Sequence, residues 1–397
     1  MSFARRDTGL RADLGALASQ VHPVFMLPPL AASGFGAVLA GSFAPAPLAL
    51  HLAAAFLAVY TAHVKDGYVD FYRRGEDDDH PMSEAGCRRA LAGASVGFAL
   101  ATVALGVVAG PGAAALAVPM WLLGFLHAPQ FDTNPVTTTL GYPLGIALAI
   151  LGGYYAQAGA LAAEPLAFGL VFLVTLAGVK VIDDSTDYEY DRSIAKRTVA
   201  VALGRERARA FAYTLVYAGF VLVLLFSVGG TFPPSAPLAA VAFGVVALYA
   251  ARADAELATM LLIRGAYVFL ALLVAAVWFR PLAGVPLPDI GVLGPYTYLA
   301  TEVAFGALAF ALLVRAGALA RAARTVLVLY PLAFVWDWYT LEVGVFAVEL
   351  ATGVEAFGIP VEEHLFMVVV PALVVAVHET VTARPTRATS RRPRPPR

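Results

Sequence analysis

The sequence predicts an all-α membrane protein, a polytopic bundle with about nine helices followed by about three more. Hydrophobic residues make up 60% of the 397 positions and charged residues only 14%, and the mean hydropathy is +0.75. Soluble domains average about 45–50% apolar and about 25% charged residues. No stretch alternates polar and apolar residues as the strands of a membrane barrel do. The composition excludes a soluble enzyme, a disordered protein and a nucleic-acid binder.

The apolar segments account for the predicted helices in order. A transmembrane helix needs about 20 predominantly apolar residues. The segments cover residues 18–41, 46–65, 88–110, 113–127, 138–158, 165–183, 208–229, 235–251, 257–279, 296–314, 325–349 and 362–383. The fourth is short. The first has no small-residue cleavage site at its end, so we interpret it as a retained helix and not a signal peptide.

The lysines and arginines predict the orientation, because cytoplasmic loops carry an excess of them. When the N-terminus is placed in the cytoplasm and the sides alternate, the basic residues after the second and sixth segments all fall inside, and only Arg280 falls outside. We therefore expect a multi-pass protein of the cell membrane with both termini in the cytoplasm.

A composition break divides the chain. Residues 281–295 contain four prolines and three glycines, which cannot continue a helix and indicate a linker. The predicted domains are residues 1–283 and residues 284–383. The arginine- and proline-rich tail, 384–397, is predicted to be disordered; it either rests on anionic lipid headgroups or serves only as a topology anchor.

The loop after the sixth segment carries aspartates at regular spacing: Asp183, Asp187 and Asp191 recur every four residues. On a helix this spacing puts the carboxylates on one face, about 6 Å apart, where like charges destabilise the helix. A divalent cation offsets that cost, and Mg²⁺ commonly binds one or two carboxylates together with substrate phosphates. The spacing indicates a Mg²⁺ site, with a solvated acidic turn as the alternative.

A second acidic run follows the second segment. Asp66 and Asp70 have the same four-residue spacing, but Arg74 takes the next position of that series, and Asp77 and Asp78 follow. Taken alone, this loop is interpreted equally well as a solvated turn. Because both loops are predicted on the same side of the membrane, a joint site is favoured.

Two facing carboxylate clusters are suited to a diphosphate bridged by Mg²⁺. Arg192, Lys196 and Arg197 are candidates to neutralise the phosphate charge. Tyr68 is a candidate to line the substrate site, where an aromatic ring can shield a carbocation. This combination predicts that diphosphate leaves an allylic prenyl diphosphate and that an electron-rich acceptor attacks the resulting cation.

The motifs resemble those of the UbiA superfamily of intramembrane prenyltransferases, over about residues 1–280. The segment DDSTDYEYDRSIAKRTVAVALG, from Asp183 to Gly204, is similar to that family's D-x-x-x-D-x-x-x-D motif with its trailing K-R-T-x-x-x-x-L-G. The segment KDGYVDFYRRGEDDD resembles the first motif, N-x-x-x-D-x-x-x-D, with Asp66 in place of Asn and Arg74 in place of the third acid. It is closest to the menaquinone branch. The resemblance implies nine helices and Mg²⁺-dependent prenyl transfer.

Ionisable residues in the last three segments indicate a second functional region. Asp337 falls near the middle of its predicted helix, between Trp336 and Trp338, and charges at membrane depth are costly and usually functional. A carboxyl group that apolar surroundings keep protonated can protonate the terminal double bond of a polyene.

This region resembles the flavin-independent lycopene cyclase domain. The resemblance rests on PYTYLATE, which ends at Glu302, on WDWY around Asp337, and on GIPVEEHLF. The P-x-E-E signature of that family implies Glu362 and Glu363 as an acid pair. The family typically pairs two such domains, so a single copy implies a homodimer or a partner cyclase subunit.

Three functions remain open. The leading hypothesis is a carotenoid prenyltransferase that adds a prenyl unit to a polyene end such as that of lycopene, with a C-terminal domain that binds or cyclises that end. The first alternative is a quinone-type prenyltransferase acting on a quinone precursor. The second is a non-catalytic subunit of a carotenoid cyclase complex. The expected partners are the prenyl diphosphate, its acceptor and the lipid bilayer, without nucleic acid.

Overall fold

The computed structural model of the chain describes residues 2–6, 8–250, 252–253, 255–284 and 289–382. The chain divides into two compact units, the first ending at Ala283 and the second beginning at Gly284. The helices are α1 (Leu10–Ala18), α2 (Pro23–Leu39), α3 (Pro45–Val69), α4 (Glu84–Ala109), α5 (Pro111–Leu126), α6 (Pro135–Ala158), α7 (Ala163–Thr186), α8 (Tyr188–Ser193), α9 (Val199–Leu203), α10 (Arg205–Val228), α11 (Pro237–Ala250), α12 (Ala255–Phe279), α13 (Thr297–Ala316), α14 (Leu319–Glu342) and α15 (Val361–Thr382). Two short strands, β1 (Glu355–Ala356) and β2 (Ile359–Pro360), pair antiparallel.

In the described part of the chain, nine helices are long and apolar enough to cross a membrane. The number rises to ten when α1 and α2, which are bent by 66° relative to each other, are counted as one span. Two further apolar helices, α5 and α11, are shorter. Each predicted apolar segment corresponds to one helix, and the prediction of a polytopic all-α membrane bundle is confirmed.

Two predicted boundaries need correction. The first apolar segment, 18–41, was predicted to begin too early, because α1 ends at Ala18 and α2 covers only Pro23–Leu39. His22 is extended there and Pro23 starts α2, in keeping with the bias against helical geometry before proline. The eleventh segment was predicted too far along the chain. It was predicted as 325–349, whereas α14 covers Leu319–Glu342. The arginines in the first turns of α14 lower the local hydropathy, so the prediction began too late.

The predicted linker and tail are described only in part. Residues 285–288 of the linker lie outside the described residues, as does the tail, 384–397. From Ile290 to Tyr296 the chain forms 3₁₀ turns that are interrupted at Gly294, with φ of 53° and ψ of −128°, before α13 begins.

In the first unit, α2 and α6 pack closely because glycines face the contact. A Cβ atom at Gly36 would lie 2.0 Å from the carbonyl oxygen of Ile150, and one at Gly153 would lie 2.1 Å from that of Ser33. Small residues let helix backbones approach in this way, which is common among membrane helices.

Polar caps fix the helices that border the loops after α3, α5 and α7. Ser83 accepts a hydrogen bond from the backbone N–H of Gly86 at the start of α4. Asn134 caps α6 in the same way, and Thr198 caps α9. Such caps satisfy backbone donors that the helix leaves unpaired, so the three loops enter and leave at defined points.

The second unit consists of α13, α14 and α15 with the β1–β2 hairpin. The hairpin turns through Phe357 and Gly358, whose φ angles are 53° and 78°, as a two-residue primed turn requires. Leu313, Ala322 and Ala376 form a small buried apolar cluster in this unit.

Candidate functional site

The loops after α3, α5 and α7 meet at one end of the first unit. The hydroxyl of Tyr190 donates to Oε2 of Glu76 at 2.9 Å, and Nη2 of Arg74 donates to Oδ2 of Asp132 at 2.8 Å. The backbone N–H of Arg197 donates to the carbonyl of Asp132 at 2.7 Å. The two acidic loops of the sequence prediction are therefore neighbours, and the loop after α5 joins them.

In the first acidic loop, Arg74 lies among carboxylates. Helix α3 continues as a π-helical turn over Asp70–Arg74, and Gly75, with φ of 67°, ends it. Nη1 of Arg74 lies 3.4 Å from Oδ1 of Asp70, and Nε lies 3.6 Å from Oε1 of Glu76. Asp66 is half-buried on α3, one helical turn before Asp70. The arginine thus offsets one of the negative charges of the loop.

The second acidic loop departs from the predicted single helix. Helix α7 ends at Thr186, and Asp187, with φ of −94° and ψ of 14°, separates it from α8. Asp183 and Asp187 are exposed, whereas Asp191 is only 2% exposed. The expectation that the three aspartates share one helix face therefore needs correction, because the helix breaks at the middle one.

Two lysines pair with this second loop. Nζ of Lys180 contacts Asp184 and lies 3.7 Å from Oδ2 of Asp183. Nζ of Lys196 lies 3.6 Å from Oδ1 of Asp191. Burial raises the pKa of the Asp191 carboxyl, and the positive charges of Lys196 and Lys180 act against that shift. The two lysines therefore pair with only some of the carboxylate oxygens of this loop.

The incomplete pairing is seen at single atoms. Oδ2 of Asp184 and Oδ2 of Asp191 are buried and accept no hydrogen bond in the described structure. A buried carboxylate oxygen without a donor is costly, and a bound cation removes the cost. Asp187 lies between these residues in the sequence and is exposed. Its carboxylate is therefore accessible to a ligand that comes from the solvent around this loop.

The donor set fits Mg²⁺ that is shared with a phosphate ligand. Within the described ranges, no three His, Cys, Asp or Glu side chains are close enough to hold a metal ion by themselves. Mg²⁺ usually takes one or two carboxylates and completes its octahedron with phosphate oxygens and water. The arrangement therefore suits a metal–diphosphate complex better than a cage built by the protein alone.

The predicted phosphate-binding residues lie on the same loop. Arg192 and Arg197 are exposed, and Lys196 is half-buried against Asp191. Thr138 donates a hydrogen bond to the carbonyl of Arg197 at 3.3 Å, which ties this loop to α6. These cations are available on the loop side, where a diphosphate would approach the aspartates.

Tyr68 lines a cavity of about 510 Å³ beside the first acidic loop. Its hydroxyl donates to Oε1 of Glu84 at 3.3 Å, and the guanidinium of Arg73 lies 5.5 Å from its ring centroid. The other residues along the cavity are Lys65, Val69, Arg73, Arg74, Leu91, Phe125 and Pro129. Tyr68 thus faces a space that both apolar and basic side chains line.

In the second unit, two of the predicted acids lie close to hydrogen-bond donors. Glu362 is fully buried and Glu363 is 6% exposed. The hydroxyl of Tyr298 donates to Oε1 of Glu363 at 3.1 Å, and the backbone N–H of Thr352 donates to Oε1 of Glu362 at 2.8 Å. Oε2 of Glu362 and Oε2 of the buried Glu302 accept no hydrogen bond in the described structure.

Asp337 does not occupy the mid-helix position that the sequence predicts. Because α14 ends at Glu342, Asp337 lies within its last two turns. It is half-buried, and the neighbouring Trp336 and Trp338 are 66% and 46% exposed. The shifted helix boundary is the reason for the difference.

Several residues of the site were missed by sequence reasoning. Lys180 and Asp184 have the i, i+4 spacing of a helical ion pair, which was a usable signal. Glu76 lies in the acidic run but outside the four-residue series, and Tyr190 lies inside the second motif. Asp132 is a lone acid in its loop, so only the folded chain reveals its contact with Arg74.

Comparison of the sequence with known proteins identifies its family. The UbiA prenyltransferase family matches residues 26–260. Among proteins of curated function, no match to the sequence was found. Solved structures that match the chain include three at 14–18% identity, of which only the first, with a TM-score above 0.5, bears on the fold, and on the fold alone.

A structure of digeranylgeranylglyceryl phosphate synthase is 14% identical, with a TM-score of 0.56, and the match covers 67% of this chain and 97% of that one. A UbiA homolog from Archaeoglobus fulgidus bound to GPP and Mg²⁺ is 17% identical, with a TM-score of 0.48 and coverage of 67% and 99%. The same kind of homolog bound to DMAPP and Mg²⁺ is 18% identical, with a TM-score of 0.44 and coverage of 65% and 85%. Because the family match spans more than half of the sequence, the chain belongs to the UbiA prenyltransferase family.

Proposed function

We propose that the chain is a Mg²⁺-dependent membrane enzyme that transfers a prenyl group from an allylic diphosphate to an acceptor. The observation that carries this is the junction of the acidic loops. Asp191 presents a buried, unpaired carboxylate oxygen beside Lys196, and Tyr190 joins that loop to Glu76 of the first. The site is anionic, has an oxygen ligand free for a metal ion and lies at one end of an apolar helical bundle. The metal ion would bind the diphosphate, and the bundle would hold the long apolar tail of the substrate.

The metal-binding role belongs to the aspartates of the two motifs. They are Asp66, Asp70, Asp183, Asp187 and Asp191. When bound, Mg²⁺ supplies positive charge that stabilises the departing diphosphate. The unpaired oxygen of Asp191 and the exposed carboxylate of Asp187 are the strongest candidates within this set.

The surrounding residues hold the rest of the substrate. Lys196 and Arg197, with Arg192, take phosphate oxygens that the metal leaves free, since charged donors bind phosphate strongly. Tyr68 lies along the apolar cavity next to the first loop. Its ring can hold the acceptor or shield the allylic cation.

The proposed acceptor is the end of a polyene such as lycopene. The support for it lies in the second unit, where Glu302, Glu362 and Glu363 are buried. A carboxylic acid placed beside a terminal double bond can act on it as a general acid. A quinone precursor is the alternative acceptor, supported by the resemblance of KDGYVDFYRRGEDDD to the menaquinone branch.

A second function, polyene cyclisation, is favoured by the same acids. Tyr298 holds Glu363 and the Thr352 backbone holds Glu362, while the second oxygen of Glu362 stays unpaired. In this proposal Glu362 and Glu363 donate a proton to the terminal double bond, stabilise the resulting carbocation and take up the proton that leaves after ring closure, and Asp337 assists from the end of α14. A homodimer or a partner cyclase subunit would supply the second copy of such a domain.

Pigment analysis in a lycopene-producing host that expresses the chain tests the proposal. We expect prenylated lycopene, lost in Asp187→Ala and kept in Glu189→Ala, an exposed acid of α8 that lies outside the four-residue series. Transfer that persists in Asp187→Ala refutes the site assignment. Cyclic products lost only in Glu362→Gln would assign cyclisation to the second unit.

Unchanged lycopene requires a second arm with the same variants. Membranes are then incubated with a labelled allylic diphosphate and an aromatic quinone precursor. Label in the quinone fraction, lost in Asp187→Ala, would establish the alternative acceptor. No transfer in either arm would favour the non-catalytic subunit.

A further inference from the structure

The first acidic loop carries an arginine where the spacing of acids calls for a third carboxylate. Asp66 and Asp70 are four residues apart, and Arg74 follows at the same interval. The second loop completes the same interval with Asp191. The two halves of the site therefore differ by the exchange of a negative for a positive charge at corresponding positions.

The arginine is firmly held inside the loop. Its three nitrogen positions each face a different carboxylate: Asp70 at 3.4 Å, Glu76 at 3.6 Å and Asp132 at 2.8 Å. Its side chain is only 21% exposed, and those of Glu76 and Asp132 are each 9% exposed. A planar guanidinium with five donors is suited to such simultaneous pairing.

The contacts of Arg74 use up carboxylates that a metal would need. Asp132 comes from the loop after α5 and Glu76 from beyond Gly75, so the guanidinium gathers acids from two loops around one point. A divalent cation placed beside it would meet a fixed positive charge on a side chain that is only 21% exposed, and like charges repel more strongly as the dielectric falls.

The second loop differs in how its acids are paired. Lys180 and Lys196 contact one oxygen each of Asp184 and Asp191, and the other oxygens stay buried and unpaired. No salt bridge reaches Asp187 in the described structure. This loop keeps ligands free for a metal ion, whereas in the first loop Arg74 pairs with both Asp70 and Glu76.

We propose that the Arg74 guanidinium takes the place of a metal ion at the first acidic loop, so that the chain binds a diphosphate with a single divalent cation held by the second loop. The inference rests on the proposed function, since it concerns the same diphosphate site, and it narrows the metal ligands of that proposal to the aspartates of the second loop, because Asp70 is paired with Arg74. Arg74 positions Asp70, Glu76 and Asp132, and its positive charge lowers the net negative charge that these carboxylates present to the diphosphate. It is a positioning residue.

Counting bound metal tests the inference without relying on catalysis. The full chain in detergent micelles is equilibrated with Mn²⁺ and methylenediphosphonate, and bound Mn²⁺ per chain is measured from the spin-resonance signal of the free ion. We expect one ion in the unaltered chain and two in Arg74→Asp, which restores the third acid. Two ions in the unaltered chain, or one in both, overturns the inference.

Matched variants separate charge from side-chain identity. Arg74→Lys keeps the charge and is expected to bind one ion. Arg73→Asp adds an acid one residue away, where the guanidinium lies over the Tyr68 ring, and is also expected to bind one ion. A second ion in Arg73→Asp would mean that any added acid recruits metal, which overturns the specific role of Arg74.

Two further measurements cover folding and the underlying function. Should Arg74→Asp fail to fold, Arg74→Gln removes the charge without adding an acid, and it is expected to bind a second ion at least tenfold more weakly than the first. One ion only in that variant overturns the inference. Asp191→Asn is expected to lose the single ion of the unaltered chain, and retention of that ion refutes the proposed metal site independently of Arg74.

Discussion

The phenol of Tyr190 links the two acidic loops through its hydrogen bond to Glu76, 2.9 Å long. That hydrogen bond, together with burial and the negative charge of Glu76, raises the pKa of Tyr190 to about 12. A tyrosine in an unfolded chain ionises near pH 10. The contact therefore stabilises the fold fully below about pH 10, and its contribution is lost as the pH rises towards 12.

A difference titration of phenolate absorbance tests this contact. Subtracting the curve of Tyr190→Phe from that of the unaltered chain is expected to leave one step near pH 12, because the carboxylate of Glu76 opposes a phenolate next to it. In Glu76→Gln the step should move towards pH 10. Glu189→Gln, an exposed acid on the same short helix, serves as control; an equal shift there would show that general charge and not the hydrogen bond sets the pKa.

For single residues, the sequence shows which acids recur at a regular spacing, but not which side chains come into contact in the folded chain. The four-residue series identified Asp183, Asp187 and Asp191, because periodicity is a local property of the chain. It did not reveal that Asp191 is buried while Asp187 is exposed. That difference follows from the break between α7 and α8, and a single irregular residue leaves no hydropathy signal.

At the scale of helices, the contact between α2 and α6 depends on the absence of side chains. Gly36→Ala would place a methyl group 2.0 Å from a backbone oxygen of α6, and the backbones must separate to admit it. Overpacking of this kind costs about 1–3 kcal/mol. We expect a lower midpoint of thermal unfolding in detergent for Gly36→Ala.

Gly34→Ala is the matched control on the same helix. A Cβ atom at Gly34 would have no neighbour within 4 Å, and alanine is favoured over glycine in a helix interior by up to about 1 kcal/mol. The unfolding midpoint of Gly34→Ala is expected to stay unchanged or rise. A fall in the unfolding midpoint as large as that of Gly36→Ala would show that α2 is equally sensitive at both positions. The close contact between Gly36 and α6 would then not explain the effect of Gly36→Ala.

Helix existence was predictable from composition, and helix ends were not. Long apolar runs must become helices in a membrane, because every backbone group needs an internal partner there. The break before Pro23 and the early start of α14 depend on a few polar or cyclic residues inside apolar surroundings. The β1–β2 hairpin is too short for a periodic signal, and its turn at Phe357 and Gly358 depends on two positive φ angles.

For the whole molecule, the number of crossings decides which loops can share a site. Helix α5 has 16 residues, a length of about 24 Å, which is shorter than the roughly 30 Å apolar core of a bilayer. Yet Asp132, which follows α5, contacts Arg74, which follows α3. The chain must therefore return across the bundle through α4 and α5 together, and α5 counts as a crossing in spite of its length.

Single-cysteine labelling with a membrane-impermeant maleimide tests this topology, since the native Cys87 is fully buried. Ser42, between α2 and α3, and Ser193, at the end of α8, are both exposed, and five helices from α3 to α7 separate them. An odd number of crossings puts them on opposite sides.

With the basic loops inside, we expect Ser42→Cys to be labelled in intact cells and Ser193→Cys only after permeabilisation. The reverse pattern would invert the orientation, and labelling of both in intact cells would mean that α5 does not cross and that the contact between Asp132 and Arg74 cannot form.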